Sequence, residues 1–582
     1  MESRAWRYGL LVALVAVTAS SPTVNNLFVQ DDQPAIAEDP RIHDPSQWPR
    51  FLSEPYWPEK FGGDLYRPIA SLTLGVEWQL GGGAPFSFRV MSIALYAAAA
   101  IAVYHLALLL MSPGAALAAA LLFAIHPVHV EAVAVAVNQG EIIVCLLMTL
   151  AAARYIRDRR AQNVSWRTRW LLFAATLIGC GYKETAAVLP ALLAVAELTV
   201  LRSAPRRWTA LGSLLGLQVL AVATIGVLRY MVHGDRFAGT FVAEAISGAT
   251  TWQRFLSMLG GVVPEWLRLL LWPANLQADY SPRVIMAATR WGVDQTLGLA
   301  IIALIGFLAW RLRHKAPVFA FGVGWTAVGL LPVHNVLVPT GIMLAERTLF
   351  TPSVGTMLAV IGLGTAMLDA VPVARRSRMR RVAWAAVAVV MVLGMTRSIS
   401  RHQVWRTSLT LWRQTVIDAP DSYRARVALG SLMLGIGWKD RGEQAFRDGL
   451  ALWDGSSGPL FTLADMYRRQ NRCADALPLY IKALAIEEFA PGRASLVTCR
   501  AFLGQYAPAR QEALDGMRSG FYTQIFRVWV RTLDGAMRNK LPAGTVRFPA
   551  AFNYLFDSAI KEKGVLGRTR VAEGVHTMPE EK

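Results

Sequence analysis

The charged residues of this chain sort into two kinds of connection between long apolar segments, and that alternation leaves few folds open to it. Strongly basic runs occur at Arg154 to Arg169, which holds six arginines, at Arg202 to Arg207, at Arg311 to Lys315 and at Arg375 to Arg381. Between them lie short groups that mix Asp, Glu, His and Lys. The apolar stretches that separate the two kinds approach the roughly 20 residues needed to cross a bilayer. The pattern reads as an all-α, multispanning membrane protein. By the positive-inside rule the basic runs are cytoplasmic, so the mixed groups share the extracytoplasmic face and any polar chemistry belongs there.

Composition agrees with a membrane chain. Its 582 residues are 54% hydrophobic, and the mean hydropathy is +0.35. A net charge of +19 would suggest a nucleic-acid partner in a soluble protein. Here much of the excess borders spans, where topology and anionic lipid account for it, and no basic stretch is interleaved with stacking aromatics. The partners expected are the lipid bilayer and no nucleic acid. Four cysteines make no disulfide framework; Cys145 and Cys180 fall in apolar segments as packing residues.

Arg4 and Arg7 followed by Leu10 to Val17 read as a retained first span with a cytoplasmic N-terminus. Apolar segments then give about eleven spans, at about 9–24, 86–111, 113–127, 138–153, 169–181, 185–201, 208–228, 293–310, 317–332, 350–370 and 382–397. A long extracytoplasmic loop covers 25–85. The apolar run 254–272 is assigned to the interface, because Glu265 and Arg268 are costly at the bilayer centre. Residues 1–400 form the membrane domain and 401–582 an extracytoplasmic domain of amphipathic helices. In the latter, Leu463-Ala464 matches Leu496-Val497, Ala476 matches Ala509 and Ala483 matches Gly516 at a shift of 33 residues. Small residues at that period indicate a TPR-like α-solenoid. Cys473 starts the second helix of one repeat and Cys499 lies in the first helix of the next, so the two are expected to approach.

Several groups can carry chemistry. Asp31-Asp32, directly after the first span, can act as general base toward a hydroxyl or ligate a divalent cation; adjacent loop carboxylates are also commonly no more than solvated turn residues. His126-Pro127-Val128-His129-Val130-Glu131 offers hydrogen bonds to an oxygen-rich ligand, with a metal site as a weaker alternative lacking a third ligand. Lys183-Glu184 is either a local ion pair or a phosphate-neutralising lysine with its partner. Arg67, Glu346-Arg347 and Asp279-Tyr280 lie on the same face, and Arg suits bidentate phosphate contacts. No P-loop, dinucleotide-type glycine loop or Gly-x-Ser-x-Gly element appears. What remains is a surface site with carboxylates and several cations, suited to a phosphate-bearing lipid.

These residues also carry a resemblance. Asn26 to Asp32, Tyr66-Arg67-Pro68, Phe123 to Val133, Tyr182-Lys183-Glu184, Ala278 to Ser281 and Ala345 to Ser353 occur in the order found in the transmembrane-and-TPR (TMTC-like) O-mannosyltransferases, which the chain resembles over nearly its whole length. The resemblance implies a GT-C glycosyltransferase that moves mannose or a similar hexose, with inversion, from a polyprenyl-phosphate donor to Ser or Thr of an exported or membrane protein. In that scheme Asp31 is the base and Asp32 orients it or the acceptor. Arg347, Lys183 and Arg67 stabilise the leaving phosphate, while Glu131, His126 and His129 orient sugar or phosphate. No cofactor is implied beyond the donor and a possible divalent cation. The chain departs from the family in its short repeat array, and in Asn138-Gln139-Gly140-Glu141, where an Arg-containing segment is expected. Richness in Ala, Leu and Arg points to a GC-rich bacterium and hence its inner membrane. A non-catalytic scaffold, or a transporter of lipid-linked sugars or polymers, is the rival reading. A scaffold needs no converging polar groups, and a transporter should hold its ionisable residues near the midplane rather than at span ends.

Overall fold

A computed structural model describes residues 2–58, 65–202, 204, 208–234, 242–518 and 523–546, which are helical with no strand among them. The first half runs α1 Glu2–Ser20, α2 Pro40–His43, α3 Pro68–Gly81, α4 Pro85–Leu110, α5 Pro113–Ala124, α6 Val130–Ala134, α7 Gln139–Arg160, α8 Trp166–Tyr182, α9 Leu189–Leu198 and α10 Trp208–His233. Then come α11 Thr251–Ser257, α12 Val263–Leu271, α13 Val293–Leu312, α14 Pro317–Leu330, α15 Phe350–Ala370, α16 Val373–Val404 and α17 Ser408–Asp418. The remainder is α18 Tyr423–Gly435, α19 Lys439–Leu452, α20 Ser457–Arg469, α21 Cys473–Ile486, α22 Ala490–Phe502, α23 Tyr506–Arg518 and α24 Thr523–Arg538. Proline opens α3, α4, α5 and α14, where its missing N–H is one the helix could not use anyway.

Two compact units divide these helices: Met1–Ser281 with Ile285–Asp418, and Pro282–Val284 with Ala419–Lys582. The first is a multi-pass membrane unit. Among the described residues seven helices are long and apolar enough to cross a bilayer, within 6–25, 85–110, 136–160, 214–233, 293–312, 346–370 and 373–404. The bent pair Pro113–Ala124 and Pro127–Ala134, broken by 47°, makes an eighth if counted as one span. The other expected spans fall short of the roughly 20 residues of a typical crossing. Residues 185–201 give a five-residue 3₁₀ turn and a ten-residue α9, residues 317–332 a fourteen-residue α14, and α8 has seventeen residues. Two basic runs lie inside helices rather than in loops: α7 continues through Arg160, and α16 begins before Arg375.

Small residues set the packing of the first unit. Ala99, Ala100, Ala119, Ala120 and Ala124 are fully buried in its main cluster, and such residues let helix backbones approach. Helices α14 and α15 approach closely. A Cβ on Gly322 would stand 2.4 Å from the Gly355 carbonyl oxygen and 2.5 Å from the Ala359 nitrogen. Helix α17 stays with this unit because Leu411 is buried against Val29, Val130 and Trp405.

The second unit is a series of helix hairpins, α18–α19, α20–α21 and α22–α23, followed by α24. Equivalent helices begin at Tyr423, Ser457 and Ala490, and their partners at Lys439, Cys473 and Tyr506. The small residues matched in the sequence sit where the helices meet: Ala464, Ala476 and Ala483 belong to one buried cluster and Val497, Ala509 and Ala513 to the next.

Candidate functional site

The first site element is the turn after α1. Asp32 is completely buried; its Oδ2 accepts from Arg89 Nη2 at 2.7 Å and its Oδ1 from the Val137 N–H at 3.0 Å. Arg89, also completely buried, donates in addition to the carbonyls of Asn26 at 3.3 Å and Leu27 at 2.7 Å. One guanidinium thus fastens the loop to α4. Burial raises the Asp32 carboxyl above the ordinary carboxylate range, against the pull of Arg89. Gln30 holds φ at +48°, a region that costs a non-glycine residue about 1–2 kcal/mol. The strained residue directly precedes Asp31, which is half-buried. Among the described residues the Asp31 side chain has no hydrogen bond or ion pair, yet its charge acts on Arg347 and Tyr56.

Three cations gather with it, each with a carboxylate. Arg347 forms a salt bridge with Glu131 through its guanidinium, and its backbone N–H donates to Glu131 Oε2 at 2.8 Å. Lys183 Nζ meets Glu141 Oε1 at 2.5 Å. Arg67 donates to Glu184 Oε2 through Nη2 at 2.8 Å, and Arg229 reaches the other oxygen at 3.3 Å. The three groups sense one another. Burial lowers the Lys183 ammonium below its ordinary range, and Arg67 and Arg347 lower it further against Glu141. Burial alone would raise the Glu184 carboxyl, but Arg67 and Arg229 outweigh it and hold the group at about 2. Helix ends bring these residues together: Arg67 and Lys183 are the residues before Pro68 of α3 and after Tyr182 of α8, Glu141 lies in the first turn of α7, and Arg347 in the turn before α15.

The histidines of the His-Pro-Val-His-Val-Glu segment are tied to protein instead of turned toward a ligand. His126 Nδ1 accepts the Val128 N–H at 3.3 Å, and its Nε2 donates to the Leu270 carbonyl at 3.1 Å. His129 lies between the Tyr96 hydroxyl at 3.0 Å and the Ser353 hydroxyl at 2.8 Å. Both are buried, and they hold the bend that delivers Glu131. Glu346 and Tyr280 form a separate buried group. Glu346 Oε1 accepts the Gln277 N–H at 2.5 Å and the Tyr280 hydroxyl at 3.2 Å, with Arg401 Nη2 at 4.0 Å. Asp279, also buried, accepts the Ser281 N–H at 3.1 Å. Among the described residues no cluster of three or more His, Cys, Asp or Glu is placed to hold a metal ion.

Glu141, Arg89, Arg229 and Tyr56 are members that residue patterns alone did not select. Glu141 stood in the segment that departs from the family, and a lone glutamate at the start of an apolar run is itself a signal. Arg89, near the start of an apolar span, carries the same signal, and both need a partner of opposite charge.

The model of the "Dolichyl-phosphate-mannose-protein mannosyltransferase" family matches residues 68–225, the stretch that holds Arg67's helix, Glu131, Glu141 and the Lys183-Glu184 hairpin. The human protein O-mannosyl-transferase TMTC4 is 24% identical over 481 residues, covering 72% of this chain and 63% of that protein. The Drosophila melanogaster protein O-mannosyl-transferase Tmtc2 is 30% identical over 302 residues, covering 49% of this chain and 31% of the other. The chain is similar to these protein O-mannosyl-transferases. It spans 46–63% of the length of the human TMTC4, mouse TMTC3 and Caenorhabditis elegans TMTC-like proteins it matches. Among solved structures, an archaeal oligosaccharyltransferase AglB from Archaeoglobus fulgidus, in complex with an inhibitory peptide and a dolichol-phosphate, overlaps 68% of this chain and 56% of its own, at 14% identity and a TM-score of 0.40. Within the TMTC-like segments quoted from the sequence, the structure draws Asp31, Arg67, Glu131, Lys183, Glu184 and Arg347 into one constellation, and sets His126, His129, Asp279, Tyr280 and Glu346 in the packing behind it.

Proposed function

We propose that the chain is a membrane glycosyltransferase of the GT-C class that transfers mannose or a similar hexose from a polyprenyl-phosphate donor to Ser or Thr hydroxyls of exported proteins. The supporting observation is the asymmetry of the charged cluster: three cations are held by carboxylates, whereas Asp31 has no side-chain hydrogen bond among the described residues and lies within electrostatic reach of Arg347.

In this reading Asp31 accepts the proton of the acceptor hydroxyl as that oxygen bonds to the anomeric carbon. The bond from that carbon to the phosphate oxygen breaks on the opposite face, so the configuration inverts. The phosphate carries off the bonding electrons, and Arg347, Lys183 and Arg67 are placed to stabilise the charge it gains. Asp32 is a positioning residue that acts through Arg89 and the turn around Gln30. The mixed groups face the extracytoplasmic side of a bacterial inner membrane, with the second unit on that side to engage acceptor or partner protein.

The direct test is purified protein in liposomes with a polyprenyl-phosphate mannose and a Ser/Thr-rich peptide, read by mass spectrometry of the peptide. Transfer that is abolished in Asp31→Asn supports the assignment. Absence of transfer from any polyprenyl-phosphate hexose, together with an unchanged set of glycosylated exported proteins when the gene is deleted, would refute it.

A further inference from the structure

The second unit holds two of the four cysteines, and they share one buried cluster. Cys473 is the first residue of α21 and Cys499 lies in α22. Both are free thiols, 3% and 0% exposed, inside one apolar cluster with Phe461, Leu463, Tyr467 and Leu496. The two side chains share this buried cluster, and each thiol acts on the other, drawing the Cys473 thiol down and pushing the Cys499 thiol up. The pair sits on the second helix of the second hairpin and the first helix of the third, across the boundary between successive repeats.

We propose that Cys473 and Cys499 form a disulfide in the mature protein and that this bond ties the second hairpin of the unit to the third. The inference rests on the proposed extracytoplasmic placement of this unit, because disulfides form and persist on that side of a bacterial membrane. The oxidant is a protein dithiol–disulfide oxidant. One cysteine thiolate attacks its disulfide and forms a mixed disulfide; the second cysteine then displaces the oxidant's thiolate. The chain loses two protons and two electrons, and the oxidant leaves as a dithiol. Because both sulfurs are buried once α21 and α22 have packed, the exchange belongs to folding, before that interface closes. A short helical-hairpin array depends on the interfaces between neighbouring repeats, and a bond closing the loop between Cys473 and Cys499 restricts the unfolded chain where such an array is weakest.

The test uses the full-length protein in its own membrane. Free thiols are blocked with N-ethylmaleimide, the protein is unfolded without reductant, and a second, mass-distinct maleimide is added before peptide mass spectrometry. The expected result is no label of either kind on Cys473 or Cys499 and a linked peptide pair that separates on reduction, while Cys145 and Cys180 take label. Maleimide on both Cys473 and Cys499 overturns the proposal. Ala451, exposed on α19, supplies the second arm: Ala451→Cys, with both native cysteines of the unit changed to Ser, is probed by an impermeant maleimide in sealed right-side-out vesicles. Labelling there with free thiols at 473 and 499 refutes the bond alone. Protection there with free thiols at 473 and 499 refutes the orientation and the bond together.

Discussion

Asp32 and Arg89 give the sharpest test of how the site is held. Both side chains have no exposure, and Arg89 also donates through Nε and Nη2 to two carbonyls of the loop that carries Asp31. Removing one partner of such a pair leaves a buried charge uncompensated, at a cost of about 3–5 kcal/mol. Asp32→Asn keeps the volume, but its single oxygen can accept from Arg89 or from Val137 and not from both, so the expected loss is of that size. Arg89→Met should cost a similar amount, because Asp32 retains one backbone donor. Asp32→Leu with Arg89→Met removes both charges, and its loss should fall short of the sum of the singles by about 2 kcal/mol or more. Thermal unfolding in detergent can be followed with a thiol-reactive dye, since Cys145 and Cys180 are buried in the same unit, with Cys473 and Cys499 changed to Ser to leave one signal. Additive single losses, or an Asp32→Asn protein within about 1 kcal/mol of the parent, would show that the pair does not hold the loop.

Asp31→Asn should melt like the parent, since no side-chain partner is lost, and should lower transfer by roughly 10²-fold; a normal rate in the liposome assay removes Asp31 from the chemistry. Arg347→Lys keeps the charge but not the guanidinium fork held by Glu131, and is expected to reduce kcat more than it raises KM for the donor; a pure KM change contradicts a leaving-group role. Glu184 has a folded-state value of about 2 against an ordinary 4.5, so its contribution is complete above pH 4.5 and is lost as pH falls toward 2. Arg67→Met should therefore flatten the stability profile across that window, and an unchanged acid slope in melting curves would count against the ion pair. Gly355→Ala places a Cβ 2.5 Å from the Gly322 oxygen and should cost about 1–3 kcal/mol by overpacking, whereas Gly306→Ala meets nothing within 4 Å and should be close to neutral in the same melt.

The membrane class, the alternation of basic and mixed groups and the recurrence of helices near every 33 residues after residue 420 were legible because each is a local pattern. Lengths were less so. Residues 113–134 are apolar enough for one span, yet His126-Pro127 breaks them by 47°, since proline removes a helical N–H and His126 caps the freed Val128 instead. The basic run at Arg375 looked like a loop because charge and helix propensity pull in different directions there, and arginine is a good helix former. At the site, Asp31, Arg67, Lys183 and Arg347 stood out as charges at apolar boundaries. Their pairing did not: Glu131 meets Arg347 and Glu141 meets Lys183 only through the packing of α6, α7, α8 and α15. The partners of the histidines were not legible, because a buried imidazole with two filled nitrogens and a ligand-binding one have the same sequence signature.

Helix α16 carries a mechanical consequence. It has 32 residues, about 48 Å of rise, but the uncharged stretch between Arg381 and Arg397 is fifteen residues, about 22 Å against a hydrocarbon core of about 30 Å. The guanidinium groups at the two ends must snorkel outward, or the bilayer must pinch in around them. Only 11% of this span's apolar window is buried inside the protein, so lipid acyl chains supply most of its surroundings. The chain thereby carries a gauge of membrane thickness beside Ser398 and Arg401, which tie the same helix to Ile125 and Asp418. Shorter acyl chains match that gauge; longer ones load it with strain.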